Sequence, residues 1–132
     1  MLVVIVTDNG FAAEAIRRSF RNTSGVRVAG YVDGRQACGA AVAEAQPDVV
    51  IVDEMRWPRL ALQRLNEIRE VLPHAHVVVR AARPEAGWLA EALHAGASAV
   101  VPATAGAETL GVVLNEVVAE RRGGHTQDRL AA

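Results

Sequence analysis

Five short runs rich in valine or isoleucine recur about every 25 residues: Leu2 to Val6, Val26 to Val32, Val49 to Val52, His76 to Val79 and Ser98 to Val101. Each reads as a strand. The first, third and fourth are apolar at nearly every position instead of alternating, the pattern of a strand covered on both faces by helices. A parallel sheet follows from that pattern. The chain has 132 residues, of which 51% are hydrophobic, enough for a single core and too short for a second one.

Segments with helical spacing separate the runs. Phe11, Ala12, Ala15, Ile16, Ser19 and Phe20 form one face of a first helix, capped by Asn9, with Glu14, Arg17, Arg18 and Arg21 opposite. A second, alanine-rich segment spans 34–46 and stops at Pro47. A third spans 59–72, with Leu62, Leu65, Ile68 and Leu72 aligned and Pro73 ending it. A fourth starts at Pro84, carries Trp88, Leu89, Ala92 and Leu93, and ends at Gly96, where glycine suits the left-handed position past a helix. A fifth, 107–122, buries Leu110, Val113, Leu114, Val117 and Val118. This is a (βα)5 chain. Right-handed crossovers make it an α/β, doubly wound, parallel five-stranded sheet of flavodoxin-like strand order 2-1-3-4-5, whose crevice lies where the first and third strands diverge. Residues 1–122 form the expected domain, and 123–132 read as a flexible tail or the start of a linker.

Composition narrows the function. Fourteen basic against fifteen acidic residues give a net charge of -1, which argues against a nucleic-acid-binding surface. Cys38, the single cysteine, excludes an internal disulfide and a cysteine-based zinc site, and fits a reducing cytoplasm. The opening apolar run lacks a basic leader, and no stretch approaches the ~20 apolar residues of a membrane span. His74 and His76 lie two apart but have no third ligand at a metal-site spacing, so they read as surface histidines, and His94 complements a helix dipole. Trp88 is expected to pack on the core, and Trp57 to be exposed or to lie over the crevice.

Functional residues in such a sheet sit where the strands end. Asp8 follows the first strand and Asp53 the third, so two carboxylates flank the crevice. A hard, oxygen-rich site of this kind suits Mg²⁺, although aspartates at strand ends also serve as turn formers. No glycine-rich phosphate loop follows the first strand, and no Ser/His/Asp set stands at the strand ends, which leaves a flavodoxin-like enzyme or nucleotide binder a remote alternative.

Three stretches resemble the response-regulator receiver domain, the CheY-like module of two-component signalling: Val4-Ile5-Val6-Thr7-Asp8-Asn9, Pro47-Asp48-Val49-Val50-Ile51-Val52-Asp53, and Ala95-Gly96-Ala97-Ser98-Ala99. The resemblance covers about residues 1–122. It implies a phosphoacceptor at Asp53 and a Mg²⁺ site formed by Asp8, Asp53 and the backbone carbonyl of Met55. It also exposes losses. The family's first acidic position is Thr7, its switch hydroxyl is Ala81, its fifth-strand lysine is Ala103 and its switch aromatic is Val100; Pro58 falls five residues past Asp53 instead of four, after Trp57. A phosphoryl group on Asp53 would lack both its hydroxyl and its ammonium partner, each worth about 1.5–3 kcal/mol. Arg56 and Arg83 are candidate substitute cations.

The expectation is therefore an atypical receiver, not an enzyme. It would act in the cytoplasm as an interaction or dimerisation module, with weak Mg²⁺ binding and phosphorylation at Asp53 weak or absent. Its partners would be a histidine kinase or downstream regulator, or a second copy, without direct nucleic-acid or membrane contact. The alternative is a working Mg²⁺-dependent phosphoacceptor, as a phosphorelay component or the amino-terminal part of a DNA-binding transcriptional regulator.

Overall fold

A computed structural model describes residues 1–123, with side chains through 120. Its elements alternate: β1 (Leu2–Thr7), α1 (Gly10–Ser19), β2 (Arg27–Asp33), α2 (Gly39–Ala45), β3 (Val49–Asp53), α3 (Pro58–Val71), β4 (His76–Ala81), α4 (Ala86–His94), β5 (Ala99–Pro102) and α5 (Ala107–Gly123). The five parallel strands are ordered β2-β1-β3-β4-β5, as the valine-rich runs imply. The tail expected at 123–132 lies outside the described residues apart from Gly123, which is helical, within α5.

Continuous apolarity in β1, β3 and β4 has the cause inferred from it. Alternate residues of these strands enter two separate cores, one on each face of the sheet. Val4, Val6, Val50, Val52, Val77 and Val79 meet α2, α3 and α4. Val3, Ile5, Val49, Ile51 and Val78 meet α1 and α5, including Phe20, Leu110, Leu114 and Val117. The edge strand β2 alternates exposed and half-buried residues over most of its length, and its register with β1 skips Ala29, a bulge.

Two expectations need correction. The buried face of α1 is Ala13, Ile16 and Phe20; Phe11 is 90% exposed, and Ala15 and Ser19 are also exposed. Phe11 stands in the first turn, ahead of the point where the helix meets the sheet. The second helix begins at Gly39, not Gly34. The chain first turns after β2: the Gly34 N–H donates to the Thr7 carbonyl at 2.9 Å, and the Asp33 carboxylate accepts from the Arg35 N–H at 2.9 Å. Gly34 is needed there, because a Cβ would stand 2.5 Å from Met55 Sδ and 2.9 Å from Val6 Cγ1. Asn9 caps α1 by accepting from the Phe11 and Ala12 N–H groups, and Gly96 past α4 has φ 108°, both as expected.

Candidate functional site

The ends of β1, β3, β4 and β5 bring the sequence candidates to one rim. Asp53, the last residue of β3, is buried at 6% exposure, and Thr7, the last of β1, at 1%. The Thr7 hydroxyl donates to Asp53 Oδ2 at 3.2 Å and accepts from the Asn9 N–H at 3.2 Å. Asp8 reaches across to the loop after β3, where its Oδ2 accepts from the Arg56 N–H at 2.8 Å. Met55 follows in that loop, its side chain buried under Val6 and Gly34. Glu54 ties β3 to β4, donating its N–H to the Arg80 carbonyl and accepting through its carboxylate from the Ala82 N–H.

The cation that reaches Asp53 is neither Arg56 nor Arg83. It is Arg80, whose Nη1 lies 2.8 Å from Asp53 Oδ1 and whose Nη2 donates to the Ala103 carbonyl at 3.0 Å. Sheet register places it there: Asp53 and Arg80 are direct partners in the parallel β3–β4 pair, so their side chains leave the sheet on the same face. Arg56 instead stacks over the Trp57 ring at 5.8 Å, and Arg83 lines an adjoining cleft that Glu54 and Ala81 share with Pro58, Pro84 and Trp88. An arginine inside an otherwise apolar strand was the available signal for this contact, and its meaning depended on knowing the β3–β4 register.

The electrostatics of Asp53 are a contest. Burial pushes its carboxyl above the ordinary carboxylate range, while Arg80 and the Thr7 hydroxyl pull it back without cancelling the rise. Ala81 is buried and carries no hydroxyl; Ala103 contributes backbone only, accepting from Arg80 and donating its N–H to the Ala81 carbonyl at 2.8 Å. Among the described residues, no three His, Cys, Asp or Glu side chains cluster closely enough to hold a metal ion.

The other candidates behave as ordinary structure. Cys38 is buried, and desolvation pushes its thiol up to about 11, away from nucleophilic use. His76 Nδ1 is 3.1 Å from Ser98 Oγ. Trp88 is half-buried against the β1–β3–β4 core and donates its indole N–H to the Pro58 carbonyl at 3.0 Å, whereas Trp57 is 64% exposed. No helix among the described residues is long and apolar enough to cross a membrane.

No known family model and no curated protein sequence matches this chain. Solved structures do. A two-component response regulator of the LuxR family from Aurantimonas superposes with TM-score 0.77 at 21% identity, covering 91% of this chain and 86% of that one. The signal receiver domain of the putative response regulator NarL from Mycobacterium tuberculosis gives TM-score 0.76 at 22% identity, covering 89% and 94%. A putative pilus assembly protein (cpaE) from Burkholderia thailandensis gives 0.74 at 15% identity, covering 90% and 98%. Strand order, helix placement and these superpositions agree that the chain has the CheY-like fold of response-regulator receiver domains.

Proposed function

We propose that this chain is an atypical receiver module that signals by binding a protein partner or a second copy of itself, with phosphorylation at Asp53 weak or absent. One observation carries the reading: the buried Asp53 carboxylate is already held by the protein's own cation, Arg80, at 2.8 Å, with Thr7 on its other oxygen.

A divalent cation fits this rim poorly. Mg²⁺ is held by one or two carboxylates and keeps most of its waters. Here a permanent guanidinium charge abuts one of those carboxylates, and the position that would add a further acid is Thr7. Asp8 and the Met55 carbonyl could still offer oxygens, so residual binding is weak at most. A phosphoryl group on Asp53 would displace Arg80 from Oδ1 and find no hydroxyl at Ala81. In this reading the module is cytoplasmic, is not an enzyme, and has as partner a histidine kinase or downstream regulator. A nucleotide-binding role is disfavoured because the Asn9 side chain occupies the first N–H groups of α1 that a phosphate would use.

One feature favours the second reading, a working phosphoacceptor. The Arg80 guanidinium bridges Asp53 and the Ala103 backbone, the place where the resemblance puts the phosphoryl-binding lysine. Arg80 would then serve in that lysine's role. Thermal unfolding with Mg²⁺ and beryllofluoride separates the two, since a ligand bound by the native state must raise Tm. The first reading expects no saturable rise up to ~10 mM Mg²⁺ with beryllofluoride. A saturable rise that Asp53→Asn abolishes and Arg80→Lys retains would replace it with the second.

A further inference from the structure

Away from the Asp53 rim, a cleft of about 430 Å³ opens between α1 and the start of β2. Arg17, Arg18 and Arg21 from α1 and Arg27 from β2 line it, against one acid, Glu14. Glu14 is a weak neutraliser, 3.8 Å from Arg17 with both side chains at least half exposed. Arg18, Arg21 and Arg27 have no carboxylate within ion-pair distance among the described residues. Buried Phe20 and half-buried Val26 and Val28 add an apolar part to the lining.

Beside this cleft runs an edge of the sheet. β2 pairs with β1 alone, so its outer side presents main-chain groups that no other strand takes up. An edge strand, a few apolar side chains and a row of arginines together suit one kind of ligand. We propose that this surface docks an extended acidic segment of a partner protein, whose main chain adds to the free edge of β2 while its carboxylates meet Arg17, Arg18, Arg21 and Arg27. Strand addition supplies affinity through main-chain hydrogen bonds, and the guanidinium forks select carboxylates by geometry as well as charge.

Charge discriminates against other occupants. A second copy docked through the same face would set arginines against arginines. Duplex nucleic acid offers no strand to pair with β2, and the chain as a whole carries a net charge of -1.

The test is fluorescence anisotropy with a fluorescein-labelled peptide of alternating glutamate and valine. Saturable binding is expected, weakened about tenfold or more by Arg18→Gln with Arg21→Gln and by N-methylation of the peptide main chain, with a lysine–valine peptide failing to bind. Amide shifts in an NMR titration should centre on residues 27–31. Both arginines are exposed, and matching thermal melts of the variant and the parent chain will show that lost binding is not lost folding. The proposal is overturned if no saturable binding occurs, if the N-methylated peptide or an oligothymidylate of equal charge binds as tightly, or if the shifts centre elsewhere.

Discussion

Two carboxylate–arginine pairs in this fold have the same ion-pair distance, yet their carboxyls shift in opposite directions from the ordinary value. Asp53 pairs with Arg80 at the end of β3, and Glu67 pairs with Arg64 at 2.8 Å on α3. Glu67 also accepts from the Cys38 N–H at 2.5 Å and from the Gly39 N–H, capping α2 from a neighbouring helix. Burial would raise the Glu67 carboxyl, but these two N–H donors and Arg64 outweigh it and hold its pKa below the usual value. Asp53 lies deeper, with its side chain 8% exposed against 24% for Glu67, and its donors do not fully repay desolvation. An ion pair is thus no measure of how comfortable a carboxylate is; the number of donors set against the depth of burial decides. Glu67 is an architectural cap, whereas Asp53 is held under tension.

The sharpest way to break this contrast is to remove one cation. Arg80→Leu leaves a buried carboxylate without its partner and should lower stability by about 3 kcal/mol in urea unfolding. Adding Asp53→Leu should restore most of that loss, because replacing the whole pair removes the desolvation cost with it. A double variant no better than Arg80→Leu would mean that Arg80 acts through packing and not through Asp53. Glu67→Ala should cost less, about 1.5 kcal/mol, since it removes a helix cap from a carboxylate that remains partly in water. Its hydrogen-exchange signature should be faster exchange confined to residues 38–42.

Proton linkage sharpens the comparison in sign. The folded pKa of Asp53 is raised above 3.8, so the unfolded chain ionises first and the Asp53 contribution to stability falls as pH rises from that value through the folded one. The folded pKa of Glu67 is depressed, so its contribution is present above 4.5 and is lost as pH falls through the folded value. Differences in Tm between the parent chain and Asp53→Asn or Glu67→Gln, followed from about pH 3 to pH 7, should therefore slope in opposite directions. Parallel slopes would remove the distinction. The smallest effect belongs to an exposed pair: Arg59→Ala, which breaks the Arg59–Glu91 bridge between side chains 75% and 55% exposed, should change stability by less than about 0.5 kcal/mol.

Strand identity was legible because burial on both faces leaves a local mark, unbroken runs of valine and isoleucine in β1, β3 and β4. The start of α2 was not. Nothing in residues 34–38, Gly-Arg-Gln-Ala-Cys, marks a break before the alanine-rich helix, and what holds them out of it are hydrogen bonds within the turn after β2 and to Thr7 and Glu67 across the fold. Phe11 was misplaced for a related reason: helical periodicity assigns it a face but cannot say where along its length the helix meets the sheet. At the rim, Asp8, Thr7 and Asp53 were found by position at strand ends. Arg80 was overlooked because its partner is fixed by register between strands separated by α3, and an arginine one residue from a strand's end otherwise reads as solvated.

The bulge at Ala29 also bears on which part of the molecule opens first. β1, β3 and β4 are flanked on both sides, whereas β2 is joined to one neighbour only and loses a regular rung of that ladder between Val3 and Val4. Amide protons should therefore exchange with solvent fastest along β2 and slowest in β3, through local opening that leaves both cores intact. An element that frays readily carries latent freedom. A strand-adding partner would quench that freedom where it binds, and its arrival could be felt at the buried end of β1, one hydrogen-bonded ladder away, without any hinge or rigid-body rotation.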